Sequence, residues 1–225
     1  FPELVHAFPI QDDVILDGEL VYIDPVTQKI EFEVVMERFR SGKKERIDAH
    51  QRNFPCKYVV FDILHFKGMD LAKLPLKDRK MILEAAVPDN ETFSKTIYIE
   101  NDGHSMFKVV RQHELEGMVA KPLASLYYWG KRTEWIKIIN WRRTSIFFSG
   151  IRKASFGLLM SFGKEGNYQS AGVLEFGMSP KDRSFFRKHC KPVAEDKYFI
   201  YVEPEIQAQV KYRAITRNGY LRTPV

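Results

Sequence analysis

Cysteine is scarce in this chain, and the two that occur, Cys56 and Cys190, form no Cys-x-x-Cys spacing. No His-x-x-x-His spacing occurs either, so the sequence excludes a zinc cluster and argues against a disulfide framework. Uncharged apolar runs such as residues 34–36 fall far short of the ~20 residues that a membrane-spanning helix needs. The first four residues, Phe-Pro-Glu-Leu, contain no initiator Met and do not resemble a signal peptide. We therefore expect the chain to begin inside a longer protein.

Positive charge is distributed unevenly along the chain. The 225 residues carry 35 Lys and Arg against 29 Asp and Glu, a net charge of +6. Residues 142–225 hold 15 of the basic and 7 of the acidic side chains, a net +8, whereas residues 1–141 have a net −2. A basic module joined to a near-neutral one indicates a polyanionic partner, although excess Lys and Arg can also serve only to solvate a surface.

In residues 1–141, short apolar segments are mixed with segments of helical spacing. The predicted strands are residues 14–16, 20–23, 58–61, 117–120 and 135–139. The predicted helices are residues 31–40, 76–86 and 105–113, the last with Asp102 or Ser105 as its N-cap. Residues 40–53 are charged and contain glycine, which predicts a mobile loop. Because strands and helices do not alternate strictly, the α+β class is favoured over a doubly wound sheet.

Residues 142–225 have a different pattern, rich in glycine and in short β segments. Five strands are predicted at residues 145–151, 158–162, 171–176, 198–206 and 209–214, with one helix at residues 180–190. Five strands and one helix indicate a small barrel, and the OB-fold is its commonest nucleic-acid-binding version. The sequence therefore predicts two domains, residues 1–141 and residues 142–225.

Charged side chains stand at the ends of the predicted strands. Asp17 and Glu19 are two residues apart, so both carboxylates would point to one face of an extended chain. Glu116 opens a strand that ends at Lys121, and Lys137 places an ammonium inside an apolar strand, where an unpaired charge is costly. Carboxylates that face a lysine can hold a divalent cation and a phosphate together. Each group alone is weak evidence, because Asp-Gly-Glu is more often a turn than a site.

Four motifs follow one another along the chain: Asp17-Gly18-Glu19-Leu20, Phe61-Asp62-Ile63-Leu64, Glu116-Gly117-Met118-Val119-Ala120-Lys121 and Trp135-Ile136-Lys137. The series resembles that of ATP-dependent DNA ligases, and most closely the bacterial group whose ligase module serves double-strand-break end joining. The resemblance extends over nearly the whole chain. It implies a nucleotidyltransferase (adenylation) domain, ATP-grasp-like with antiparallel sheets and helices, whose N-terminal part is missing and which is followed by an OB-fold domain.

The resemblance also implies the chemistry. In this family a lysine attacks the α-phosphate of ATP, the AMP passes to the 5′-phosphate of a DNA nick, and the 3′-hydroxyl then displaces it. ATP and Mg²⁺ (or Mn²⁺) are the implied cofactors. Nicked or broken double-stranded DNA is the implied partner, together with end-joining proteins. A monomeric, cytoplasmic, nucleoid-associated bacterial protein is expected.

Three residues carry the implied nucleotide and metal contacts. By resemblance, Glu19 contacts the ribose and the metal, Phe61 stacks on adenine, and Glu116 binds the divalent cation as a catalytic residue. Phe61 has a structural alternative, which is that it serves only as a core aromatic.

Three basic residues are implied to neutralise phosphate charge, namely Lys121, Arg132 and Lys137, the last also as a catalytic residue. Two structural alternatives stay open: Lys121 is solvated, or Arg132 pairs with Glu134 at the surface. In the predicted barrel, aromatic residues lie among the basic ones, a mixture suited to phosphate neutralisation and stacking on bases. The predicted DNA-binding residues are Arg142, Arg143, Lys153, Lys211, Arg213, Arg217 and Arg222.

The sequence departs from the family at two positions. The family's nucleophile lies in Lys-x-Asp-Gly, whereas Asp-Gly occurs here only after Ile15-Leu16 and after Glu100-Asn101. Ile139 stands where the family usually has a second lysine, which predicts weaker phosphate binding. We therefore expect that this chain alone does not adenylate itself. The alternatives are a non-catalytic nucleic-acid-binding remnant and an RNA ligase or capping-type nucleotidyltransferase.

Overall fold

The computed structural model describes residues 1–130, 133–164 and 166–225, with the side chain of residue 164 left out. The chain divides into two compact units. The first consists of Phe1–Met106 and Val119–Lys137, and the second of Phe107–Met118 and Ile138–Val225. The sequence predicts a single boundary after residue 141, whereas each compact unit combines two segments of the chain. The predicted boundary stays a prediction.

The first unit is built on a four-stranded sheet with helices packed against it. Its strands are β1 (Val14–Val21), β2 (Lys57–Phe66), β3 (Met69–Asp70) and β4 (Phe93–Lys95). Its helices are α1 (Pro2–His6), α2 (Phe32–Phe39), α3 (Lys44–Asn53) and α4 (Leu76–Ala86). β2 pairs with β1 and β3 in antiparallel fashion and with β4 in parallel. Apolar side chains of the sheet, of α4 and of the residues that follow β3 and α4 form the core, which contains Val60, Ile63, Leu71, Leu83, Val87 and Phe93.

The pairing of β1 with β2 is irregular beside Asp17. Asp17 lies opposite Asp62, but the next residue, Gly18, lies opposite Val60, so Phe61 has no opposite residue on β1. A side chain at Gly18 would place its Cβ 2.6 Å from the backbone oxygen of Val59. Only glycine therefore allows β1 to lie this close to β2 at residue 18. The Asp-Gly-Glu motif is therefore part of a strand, and the alternative of a turn is wrong.

Helix α5 (Gly103–Gln112) and the short strands β5 (Gly117–Ala120) and β6 (Ile136–Ile139) follow along the chain, and β5 pairs with β6. The N-terminus of α5 is capped by Asp102, whose Oδ1 accepts a hydrogen bond from the Ser105 backbone N–H at 2.9 Å.

The second unit contains one six-stranded antiparallel sheet. Its strands are β7 (Arg142–Arg152), β8 (Leu158–Lys164), β9 (Asn167–Leu174), β10 (Pro192–Glu195), β11 (Phe199–Val202) and β12 (Gln207–Tyr212). The long strand β7 pairs with β12 along its first half, with β11 at its end and with β8 on its other edge. Strands β13 (Ala214–Ile215) and β14 (Leu221–Arg222) form a separate pair. Helix α6 (Pro180–His189) inserts Phe186 into the core, against Phe148.

These elements confirm the α+β class and an antiparallel barrel-like second unit. Helix α4 and strand β5 have the predicted bounds. The prediction of a mobile loop at residues 40–53 is wrong, because α3 occupies Lys44–Asn53. Charged residues dominate α3 and none of its residues is fully buried, so its sequence has no apolar stripe by which a helix could be recognised.

Candidate nucleotide and nucleic-acid sites

A buried ion pair is formed by Asp62, the residue that follows Phe61 in β2. Arg79 of α4 donates from Nε to Oδ1 of Asp62 at 2.8 Å and from Nη2 to Oδ2 at 2.9 Å. Its Nη1 also donates to the backbone oxygens of Leu74 and Ser125, at 2.6 and 3.1 Å. Both charged side chains have no exposed surface, so the pair fixes β2, α4 and the segment around Ser125 to one another.

Lys121 lies against the rings of Phe61 and Trp135. Its Nζ is 5.0 Å from the ring centre of Phe61 and 3.9 Å from that of Trp135, which are distances suited to cation–π contact. The Trp135 indole N–H donates to Oγ of Ser125 at 3.2 Å, which orients the ring. Lys121 is therefore packed against aromatic rings and is not simply solvated. Phe61 is half-buried and stands outside the buried core.

Tyr127 also belongs to this group, although no motif in the sequence pointed to it. Its hydroxyl donates to Oδ2 of Asp17 at 2.8 Å, and its ring meets that of Trp135 edge-on at 5.9 Å. The Arg79 guanidinium lies 5.8 Å from the same ring. Tyr127 and Trp135 are called here the aromatic wall, and Asp17 anchors it through Tyr127. Glu19, two residues after Asp17, is exposed.

Burial lowers the pKa of Lys121 to about 8, an effect that Lys80 and Arg79 reinforce and that Asp62 and Asp17 oppose. The ammonium is therefore lost as the pH rises through about 8, well below the ordinary lysine value. A phosphate bound at this position favours the charged form.

We expect nucleotide affinity to fall between pH 7 and pH 9, by at most about tenfold per pH unit above pH 8. Binding at pH 8 to 9 should be accompanied by proton uptake, measured by calorimetry in buffers of different ionisation enthalpy. Lys121→Arg should abolish this pH dependence because a guanidinium stays charged. Lys67→Arg, at an exposed position, is the matched control. A Lys121→Arg protein that keeps the wild-type pH profile would exclude Lys121 as the titrating group.

The remaining motif residues lie around β5 and β6. Lys137 is exposed on β6, and Ile139 is half-buried. A Cβ at Gly117 would lie 2.3 Å from the backbone oxygen of Ile138. The Glu-Gly motif therefore requires glycine at the position where β5 lies against β6. Arg132 lies outside the described residues, so its pairing with Glu134 stays open.

Glu116 belongs to the second unit and is held by two arginines. Nη1 of Arg213 lies 2.8 Å from Oε1 of Glu116, and Nη1 of Arg222 lies 3.4 Å from Oε2. Within the three described ranges, no group of three or more His, Cys, Asp or Glu side chains is suitable for holding a metal ion. The metal-binding roles of Glu19 and Glu116 therefore stay predictions.

The predicted DNA-binding residues of the second unit differ in their surroundings. Arg142 pairs with Glu114 at 3.6 Å and Lys153 with Glu195 at 2.8 Å. Two further cations lie over the Trp141 ring, with Lys211 at 4.8 Å and Arg213 at 5.8 Å from its centre. Arg143 and Arg217 are exposed. The group combines cations with an aromatic face, a composition suited to a nucleic-acid interface, and the DNA-binding roles stay predictions.

Comparison with known proteins decides the family. The family model for the ATP dependent DNA ligase domain matches residues 1–138. This chain belongs to the ATP-dependent DNA ligase family. It is 33% identical over 225 residues to the SPbeta prophage-derived DNA ligase-like protein LigB of Bacillus subtilis, covering all of this chain and 78% of that protein. It is 26% identical over 230 residues to the multifunctional non-homologous end joining DNA repair protein LigD of Mycobacterium tuberculosis, covering 93% of this chain and 28% of LigD.

Solved ligase structures have a similar fold. The ligase domain of M. tuberculosis LigD gives a TM-score of 0.53 at 25% identity, with 99% of this chain and 75% of that chain covered. Mycobacterial DNA ligase D complexed with ATP and MES gives 0.50 at 26% identity, with 95% and 71% covered. A Lig E DNA ligase gives 0.60 at 18% identity, with 93% and 74% covered, a likeness of fold alone.

Across the described part of the chain, no helix is long and apolar enough to span a membrane.

Proposed function

We propose that this chain binds a nucleotide and DNA nicks, as an ATP-dependent DNA ligase that acts at nicked or broken double-stranded DNA. The observation that carries the proposal is the contact of Lys121 with the rings of Phe61 and Trp135, near the buried Asp62–Arg79 pair. An aromatic face for a base next to a cation for a phosphate suits an adenylate. The ATP complex of the related mycobacterial ligase supports ATP as the nucleotide.

The other proposed roles rest on the family. Glu19 contacts the ribose, and Lys121, Arg132 and Lys137 neutralise the phosphates. Mg²⁺ or Mn²⁺ is the proposed companion of ATP, with carboxylate oxygens of Glu19 and Glu116 as ligands. Residues 1–141 form the adenylation module and residues 142–225 the OB module, which carries the DNA-binding residues. The end-joining relatives favour double-strand breaks as the setting and end-joining proteins as partners of a monomeric, cytoplasmic, nucleoid-associated protein.

A nick whose 5′-phosphate already carries AMP tests the proposal. The 3′-hydroxyl attacks the 5′ phosphorus, the new phosphodiester forms, the bond to AMP breaks, and the hydroxyl proton goes to solvent. This step needs no lysine nucleophile, and the chain contains no Lys-x-Asp-Gly. We therefore expect sealing of the pre-adenylated nick in Mg²⁺, and no covalent label from ATP labelled at the α-phosphate.

Lys121→Ala should lower the rate of sealing by about 10²-fold or more, because one phosphate contact of the transition state is lost. Lys67→Ala is the matched control at an exposed lysine. A labelled protein band would contradict the absence of a nucleophile. Failure to bind either the nick or AMP would contradict the proposed function as a whole.

The cations Lys211 and Arg213 over the Trp141 ring favour a second candidate, a non-catalytic nucleic-acid-binding protein. Nicked-DNA binding without sealing, and without thermal stabilisation by AMP, would identify this candidate. Replacing the 3′ strand of the nick by RNA separates DNA ligase from the RNA ligase or capping-type alternative.

A further inference from the structure

Helix α6 presents an outward face that none of the assignments above uses. The helix packs through Phe186, which is buried, and through Arg183, whose guanidinium lies 3.8 Å from the ring centre of Phe156. At 100° per residue, the opposite side carries Lys181, Phe185, Lys188 and His189 within about 100° of arc. These four residues, called here the α6 face, are all exposed.

Two rings on the α6 face form a fixed platform. Phe185 and His189 stack with ring centres 4.2 Å apart and planes inclined by 29°. His189 Nδ1 donates to the backbone oxygen of Phe185 at 2.8 Å, which holds the imidazole in this orientation. Phe185 is nevertheless 56% exposed. Because its orientation is set in advance, the platform loses little conformational entropy when another planar group stacks on it.

The charge around the platform is positive. Lys181 and Lys188 lie on the same face as the two rings, and both are exposed. The acidic residue of the helix, Asp182, is engaged in the capping box, where it accepts from the backbone N–H of Ser179 at 3.0 Å and from its hydroxyl. The carboxylate is therefore directed to the helix N-terminus, and the face as a whole favours an anionic ligand with planar groups.

We propose that the α6 face binds the single-stranded extension of a DNA end, with a base stacked on Phe185 and His189 and phosphates near Lys181 and Lys188. Unpaired bases offer the flat surfaces that a duplex keeps inside its stack, and aromatic residues among cations are the usual means of holding them. The inference deepens the proposed function, on which it rests, by adding recognition of an unpaired strand next to the break.

The test measures affinity of the full chain for two labelled DNAs by fluorescence anisotropy in EDTA. One DNA is a blunt duplex, and the other has the same duplex with an extension of about ten nucleotides. The wild-type chain should bind the extended DNA more tightly. Phe185→Ala/His189→Ala should abolish that gain, an effect of about fivefold or more, and leave blunt-duplex affinity unchanged.

Three further variants define the result. Phe185→Trp should keep the gain, because it keeps the stacking surface. For the extended DNA, Lys181→Ala/Lys188→Ala should make the slope of log K against log salt shallower by about 0.7 for each phosphate contact that is lost. Lys43→Ala/Lys44→Ala, at exposed lysines where α3 begins, is the matched control and should change the affinity for neither DNA.

Equal wild-type affinity for the two DNAs would overturn the inference. So would a Phe185→Ala/His189→Ala protein that keeps the gain, a result pointing instead to an acidic protein as the partner of α6. A wild-type chain that binds neither DNA would refute the proposed function, and the two failures are therefore distinguishable.

Discussion

Replacing Arg79 by leucine is expected to lower the free energy of unfolding by about 3–5 kcal/mol. The substitution leaves the Asp62 carboxylate without surface exposure and without its opposite charge. It also removes the donor to the backbone oxygens of Leu74 and Ser125. Because Ser125 in turn orients Trp135, the aromatic wall beside Lys121 should loosen as well.

Urea denaturation followed by tryptophan fluorescence measures this loss. The double variant Asp62→Leu/Arg79→Leu should recover much of the stability, because no buried charge remains. Lys73→Leu is the control: it breaks the pair of Lys73 with Asp70, whose side chains are 84% and 52% exposed, and should cost at most about 1 kcal/mol. An Arg79→Leu protein within 1 kcal/mol of wild type would show that the pair is dispensable.

Glu116→Gln is expected to increase affinity for duplex DNA about tenfold when no divalent metal is present. The glutamate now neutralises Arg213 and Arg222, which are both predicted to bind phosphate. Losing the negative charge removes one competitor of phosphate for both guanidiniums. Each additional phosphate contact should steepen the dependence of log K on log salt by about 0.9.

A titration series at several salt concentrations in EDTA measures both quantities. Glu205→Gln is the matched control, because it also removes one negative charge from the second unit and breaks an exposed pair, with Lys191 at 2.8 Å. Unchanged or weaker DNA binding by the Glu116→Gln protein would show that its arginines do not meet phosphate.

Sequence patterns predicted the elements whose residues alternate or repeat clearly. Helix α4 is an example, since it begins directly after Pro75 and has regularly spaced apolar residues. The pattern failed for α3, where tertiary contacts of half-buried residues such as Ile47 and His50 replace an apolar stripe. The short strands β3, β13 and β14 were also missed, because two residues are too few to have a period.

The candidate site was predictable only in part. Motif order pointed to Phe61, Lys121 and Lys137, because family resemblance is carried by residue type and spacing. It did not predict Tyr127, since its bond to Asp17 joins residues that are distant along the chain. Nor did it predict that Glu116 meets Arg213, because the chain folds back over 97 residues to form that pair.

The different contacts of the neighbouring residues Phe61 and Asp62 restrict how the length of β2 can change in evolution. Phe61 contacts Lys121, while its neighbour Asp62 contacts Arg79, so adjacent residues of one strand perform different tasks. A one-residue insertion or deletion in β2 reverses the side to which each following side chain points. Such a change would move an aromatic ring to the arginine and a carboxylate to the lysine. Length variation among descendants should therefore accumulate in the connections before Lys57 and after Phe66, and not within β2.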